Sequence, residues 1–243
     1  MDRTGQPDPE EIVSASVAAS ESGQLRGLHF YDGHLTDPDT DTRCARAYEC
    51  YDRATEITNS VCAAVTTAGG AGTVGEIVTS GSTTFQDALG YDWSGVDGSV
   101  SHTISPGTVV FHDARYDGDV EGLGLVPAAL VMSRVISRPM STRVTLDAGS
   151  KGIAAEAGSP VALVLGRVVG PDALVALGPS EEHLPCAWVE GEPSATQVSE
   201  LTRGQHVWLF PRHICPTVNM YDTAVLVDGE GGSRVVDVDA RGH

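Results

Sequence analysis

Apolar positions follow two different periods along the chain. Near the start, PDPEEIVSASVAASESG opens on Asp8-Pro9, carries acids early and spaces its apolar residues as a helix does. LRGLHFYDG then reads as a strand running into a turn. In TRCARAYECYDRATEITNSVCAAV, Tyr48, Tyr51, Ile57, Val61 and Val65 recur at helical spacing, and the glycine-rich AGGAGTVG ends the element. GEIVTSGST follows as a short buried strand breaking into a loop of small residues. Helix, strand, helix, strand in succession predicts βα units on a parallel sheet.

The pattern changes near Tyr91. From SHTISPGTVVFHD onward, LVMSRVISRP, TRVTLDAG, VALVLGRVV, HVWLFPRHICPTVN and AVLVDGEGGSRVVDVDA are short, β-branched and separated by Gly, Pro or Asp turns. DGEGGS reads as a hairpin loop. The expected fold class is therefore α/β followed by β, with residues 1–92 forming a partial α/β domain and residues 93–243 a β domain. Two βα units give two parallel strands, which cannot close a barrel or cover both their own faces. Either another chain finishes that sheet, or these residues are the tail of a larger domain.

Composition narrows the function classes. Fifteen basic against 33 acidic residues give a formal charge of −18, which repels phosphate backbones and anionic membranes. Nucleic acid and membrane surfaces are thus not expected partners, and the acidic surface is compatible with a salt-adapted source. No apolar run approaches the roughly 18 residues of a membrane span, and the polar start lacks a signal-peptide core, so a cytoplasmic location is expected. Cys44, Cys50, Cys62, Cys186 and Cys215 are odd in number and sparse, which fits free thiols better than a disulfide scaffold.

Candidate chemistry begins with PRHICPTVNMYD. If VWLFPRHIC is extended, His213 and Cys215 point to one face and can offer an imidazole nitrogen and a sulfur to one ion, zinc being suited to that pair. Two buried residues on a strand are the alternative that local spacing leaves open. The loop TSGSTT, Thr79 to Thr84, combines Gly81, which lets backbone N–H groups approach an anion, with hydroxyls that can donate. An ordinary turn is its alternative. Contiguous Glu181, Glu182 and His183 cannot all reach one ion from a strand and read as a solvated or interface turn. His29, His102, His112 and His206 have no partner visible in the sequence.

GLHFYDGH, IVTSGSTTF, ISPGTVVFHDARY, VISRP, TLDAGSK, SEEH, HICPTVNMYD and the terminal DARG stand in the order found in D-serine dehydratases and D-threonine aldolases. From about Leu25 onward the chain resembles the C-terminal portion of that family, the alanine-racemase-like (fold-type III) pyridoxal-phosphate enzymes. The resemblance implies the tail of a (β/α)8 barrel followed by a β domain. It implies that Thr79, Ser80, Gly81, Ser82 and Thr83 hold the cofactor phosphate and that Tyr31 and His34 face the cofactor as catalytic residues. It also implies that His213 and Cys215 bind zinc or another divalent metal. Asn219 and Tyr221 would orient the ligands or the substrate carboxylate, Tyr221 counting among the cofactor-binding residues.

The reaction implied is lysis of a small D-amino acid, as β-elimination or as Cα–Cβ cleavage; Cys215 is the dehydratase-like choice, whereas YDGH stands closer to the aldolase and deaminase branch. A departure accompanies the match. Lys151 is the single lysine and lies in the DAGSK segment of the β domain, whereas the family's cofactor lysine lies on the first barrel strand. Lys151 is therefore expected to be structural or on the surface. The resulting expectation is a C-terminal portion competent only with a complementing barrel half, assembled as a homodimer. Its alternatives are a non-catalytic metal- and phosphate-binding partner subunit, or a decayed remnant.

Overall fold

The computed structural model describes residues 4–120, 122–154, 162–164, 175–188 and 201–242. They form two compact units, residues 1–110 with 119–124, and residues 111–118 with 125–243.

In the first unit, helix α1 (Pro9–Glu21) starts where the sequence signals it. Asp8 caps it by accepting from the Glu10 N–H, and Pro9 occupies the first turn, where a missing N–H costs nothing. Strand β1 (Gly27–Phe30) leads to helix α2 (Thr40–Ala68), capped by Asp39 and ended by Gly69 in the left-handed conformation. Tyr51, Ile57, Val61 and Val65 are on the buried side of α2, and Tyr48 packs beside them.

Strand β2 (Glu76–Thr79) pairs in parallel with β1. The short helix α3 (Phe85–Gly90) follows it. A third strand, β3 (Ser101–Ile104), pairs in parallel with the other side of β2. The sequence pattern places SHTI in the β region. Its alternating polar and apolar residues carry no mark of strand direction, and the pairing partner decides. Leu28, Phe30 and Ile104 pack toward the helices, while His29, Ser101 and Thr103 lie exposed.

The second unit opens with helix α4 (Ala114–Asp119) and is built on a six-stranded antiparallel sheet. Its strands are β4 (Val131–Met140), β5 (Arg143–Leu146), β6 (Ala162–Val164), β7 (Val175–Ala176), β8 (Leu184–Ala187) and β9 (His206–Phe210). The order is β6-β9-β4-β5-β8-β7. Long β4 serves both halves, pairing with β9 through Val131–Arg134 and with β5 beyond an irregular register at Val135. The sheet curls enough that β6 and β7, at its two ends, approach each other. Of the expected strand VALVLGRVV, Val161 and the part beyond Val164 lie outside the described residues.

Helix α5 (Ile214–Val218) follows β9, and a hairpin of β10 (Thr223–Val227) and β11 (Ser233–Asp237) turns at the expected DGEGGS. Among the described residues no helix is long and apolar enough to cross a membrane.

Val135, Val144, Leu146, Leu184, Cys186 and Leu209 form the centre of the second core. Burial pushes the Cys186 thiol up to about 12 from an ordinary 9.0. Between those values the unfolded chain has lost a proton that the folded chain keeps, so stability is complete below pH 9 and falls as pH rises toward 12. The loss accrues at about 1.4 kcal/mol per pH unit. Melting temperature measured from pH 8 to 11 is expected to fall less steeply in Cys186→Val than in the wild type. Parallel curves would show that this thiol does not titrate with unfolding.

Candidate functional site

The first unit gathers its chemistry just past the C-terminal ends of β1 and β2. Asp32, inside the YDGH motif, is only 5% exposed. Its Oδ2 accepts from the Tyr51 hydroxyl at 2.7 Å and from Thr84 Oγ1 at 2.6 Å. Burial first, and the neighbouring Asp32 charge next, push the Tyr51 phenol well up, so it stays a donor. Thr83 Oγ1 donates to the Leu35 carbonyl at 2.6 Å, and Ser82 Oγ accepts from the Thr108 N–H at 3.2 Å.

Two histidines read as structural brace the start of the loop. His29 Nε2 lies 2.7 Å from Ser80 Oγ, and His102 Nε2 lies 2.9 Å from Thr79 Oγ1, with Trp93 stacked on the His102 ring at 4.0 Å. Burial holds the His102 imidazole below its usual range, so it is neutral at pH 7.

Gly81 has a reason that its sequence alone does not disclose. A Cβ there would lie 2.2 Å from Asp32 Oδ1 and 2.3 Å from Thr84 Oγ1, so only glycine fits against the carboxylate. The loop residues Gly81 to Thr84 are buried, yet among the described residues no acceptor takes their N–H groups. Helix α3 has no side-chain cap either. Buried, unpaired N–H groups in succession are the donors that a phosphate requires, so the loop fits the group that the resemblance implies.

Tyr31 is 43% exposed, with its phenol folded over Gly33, where a Cβ would lie 2.3 Å from the hydroxyl oxygen. His34 is at the surface, although the surrounding protein desolvates the ring enough to hold its imidazole below the usual range. Tyr31, His34 and the Thr79–Thr83 loop thus share one unit.

The second unit holds His213, Cys215 and Tyr221, and here a premise of the sequence reading fails. Strand β9 ends at Phe210, and His213 caps α5, so Cys215 sits in a helical turn. The face that strand alternation would have given the pair does not exist. Pro211 breaks the strand, and Pro216 occupies the first helical turn, where its missing N–H is tolerated. Thr217 Oγ1 donates to the His213 carbonyl at 2.7 Å and accepts from the Ala154 N–H at 3.1 Å, securing the turn.

Cys215 is exposed. Imidazole and thiol suit zinc by donor type, but among the described residues no three His, Cys, Asp or Glu side chains gather as a metal site. The pair offers two donors, and further ligands would come from elsewhere. The Tyr221 hydroxyl donates to the Gly152 carbonyl at 2.7 Å, and Asn219 Oδ1 accepts from the Gly242 N–H at 2.7 Å.

Lys151 is exposed and pairs with Glu181 at 3.0 Å and Glu182 at 3.1 Å. Hydrogen bonds that it donates to both carboxylates hold its ammonium above the usual range, so it is not a nucleophilic amine at neutral pH. The SEEH turn is accordingly a solvated one, docked on the DAGSK turn through Ser150 N–H to Ser180 O and Lys151 N–H to Glu181 O.

Residues 128–227 match the family described as "Putative serine dehydratase domain". A D-threonine aldolase of an Arthrobacter species is 31% identical over 141 residues, which are 57% of this chain and 34% of the aldolase. The D-threonine aldolase of Filomicrobium marinum superposes over 99% of this chain and 60% of its own, at TM-score 0.73 and 26% identity. Over these stretches the chain is similar to a serine dehydratase domain and to D-threonine aldolases.

Two further structures share the fold. The D-threo-3-hydroxyaspartate dehydratase of Delftia sp. HT23 covers all of this chain and 63% of its own, at TM-score 0.73 and 18% identity. An alanine-racemase-like protein of Idiomarina loihiensis covers 97% of this chain and 61% of its own, at TM-score 0.71 and 18% identity. The chain thus spans about a third of the curated relative and three fifths of the solved ones.

Proposed function

We propose that this chain contributes the cofactor-phosphate loop and the metal-binding pair of a pyridoxal-phosphate-dependent D-amino-acid lyase. The reaction class is β-elimination of the D-serine dehydratase type or Cα–Cβ cleavage of the D-threonine aldolase type. The parallel strands are then the last βα units of an alanine-racemase-like barrel. Its cofactor lysine is not Lys151, and the assembly is a homodimer. The observation that carries this reading is the loop from Gly81 to Thr84, with its unpaired buried N–H groups at the end of a parallel strand.

Those N–H groups and the Ser82 hydroxyl would hold the phosphate. Bound there, the cofactor supplies an electron sink for the substrate α-carbon. Neutral His34 is suited to take a proton, and Tyr31, exposed at the same motif, to orient the substrate. His213 and Cys215 are the donors for a divalent ion, whose chemistry there would be Lewis acidity toward the substrate β-hydroxyl. The ion-paired state of Lys151 favours a second reading, a non-catalytic phosphate- and metal-binding partner subunit.

The metal half of the proposal has a direct test. Wild type is expected to retain about one zinc per chain, and His213→Ala and Cys215→Ala to lose it. Bound zinc should also protect exposed Cys215 from alkylation, whereas buried Cys186 stays unreactive with or without metal. Equal zinc in wild type and His213→Ala would remove the metal.

A further inference from the structure

The turn that carries His213 and Cys215 is gripped from far away in sequence. Asp113 is fully buried, and its Oδ2 accepts from the Ile214 N–H at 3.2 Å, across 101 residues of chain. Its Oδ1 accepts from the Tyr116 N–H at 3.2 Å. Next to that contact the two segments are laced backbone to backbone, Ala114 N–H to Pro211 O at 2.9 Å and Arg115 N–H to Arg212 O at 3.2 Å.

The residue before it is strained into place. His112 has φ of 59°, is 2% exposed, and sets its ring 5.7 Å from that of Phe210. A left-handed conformation in a bulky residue is costly and persists only where the surroundings enforce it. It turns the chain so that Asp113 enters the core beneath Ile214. A carboxylate buried at such expense to satisfy one N–H of a short helical turn does more than fill space.

We propose that Asp113 is a positioning residue. It fixes the backbone from Arg212 to Cys215 so that the imidazole of His213 and the thiol of Cys215 are presented together to one divalent cation. This rests on the metal reading given above. Asp113 itself does not touch the ion. It substitutes for the strand regularity that a His-x-Cys pair would otherwise use to align its side chains.

The test is the zinc dissociation constant of the whole chain, by competition with a chromophoric chelator, for wild type, His213→Ala, Asp113→Asn, Asp113→Ala and Leu146→Ala. Asp113→Ala is expected to weaken zinc binding about 10- to 100-fold, the usual effect of removing a group that orients a ligand. Asp113→Asn keeps one acceptor oxygen for two N–H groups and should fall between Asp113→Ala and wild type. Leu146→Ala loosens the core without touching the turn, so unchanged affinity there separates positioning from general destabilisation.

Asp113→Ala binding as tightly as wild type, while His213→Ala loses zinc, overturns the proposal and leaves the metal reading standing. If Asp113→Ala does not fold, Asp113→Asn decides, and wild-type affinity in that variant overturns the role equally. If wild type binds no more tightly than His213→Ala, the metal reading falls and the positioning role falls with it.

Discussion

Gly81→Ala is expected to eliminate retention of pyridoxal phosphate and to cost the first unit about 1–3 kcal/mol, the usual range for forcing atoms into a filled site. The clash is not with a flexible tip. The new methyl group would meet Asp32 Oδ1 at 2.2 Å and Thr84 Oγ1 at 2.3 Å; Thr84 Oγ1 and Tyr51 both donate to Oδ2, the other oxygen of that carboxylate, which holds the carboxylate and the threonine in place. Relief requires either the loop or the carboxylate to move, and each movement breaks a hydrogen bond to a buried charge.

Tyr51→Phe offers the complementary case, because it leaves the loop room and removes one donor from Asp32, at about 1–3 kcal/mol. It should weaken cofactor binding less than Gly81→Ala does. Cofactor titration and urea unfolding of the two variants and wild type measure both effects. An alanine at 81 that binds and unfolds like wild type would show that the loop is not held against Asp32.

The second large effect is all or none. Borohydride reduction of the chain with pyridoxal phosphate is expected to leave no covalently attached cofactor, because Lys151 is the single lysine and is tied to Glu181 and Glu182 as an ammonium. Mixed with a barrel segment bearing the family lysine, the same chain should release pyruvate from D-serine or an aldehyde from a D-threonine-type substrate. Lys151→Ala should behave as wild type in both experiments. Attachment that disappears in Lys151→Ala would contradict the placement of Lys151 outside the cofactor site. Attachment absent and product absent even with the complementing segment would favour the non-catalytic subunit.

Much of the architecture was legible because local signals agreed. Asp8-Pro9 and Gly69 mark helix ends whatever surrounds them, and the apolar spacing of Tyr51, Ile57, Val61 and Val65 has one regular interpretation. Two errors came from reading single segments. SHTI looks the same in a parallel or an antiparallel strand. VWLFPRHIC continues an apolar run through a proline, and the prolines at 211 and 216, one ending the strand and the other in the first turn of a helix, carry the contrary signal.

The residues that organise the candidate sites were less visible. Asp32 was hidden between Tyr31 and His34, and Asp113 between a histidine and a helix start, each a common residue in a polar stretch. Their importance lies in partners 19, 52 and 101 residues away, and periodicity carries no record of such distances.

The Tyr51–Asp32–Thr84 chain of contacts joins the middle of a 29-residue helix to the loop that would cradle a phosphate. Whatever tightens that loop must therefore tighten the helix as well. A phosphate-bearing cofactor held there, as proposed, would act as a folding ligand, adding about 2.7 kcal/mol to the folded state when present at a hundredfold excess over its dissociation constant. Slower amide exchange along residues 47–58 on addition of phosphate alone would be its signature, and cellular abundance of the protein would then follow vitamin supply.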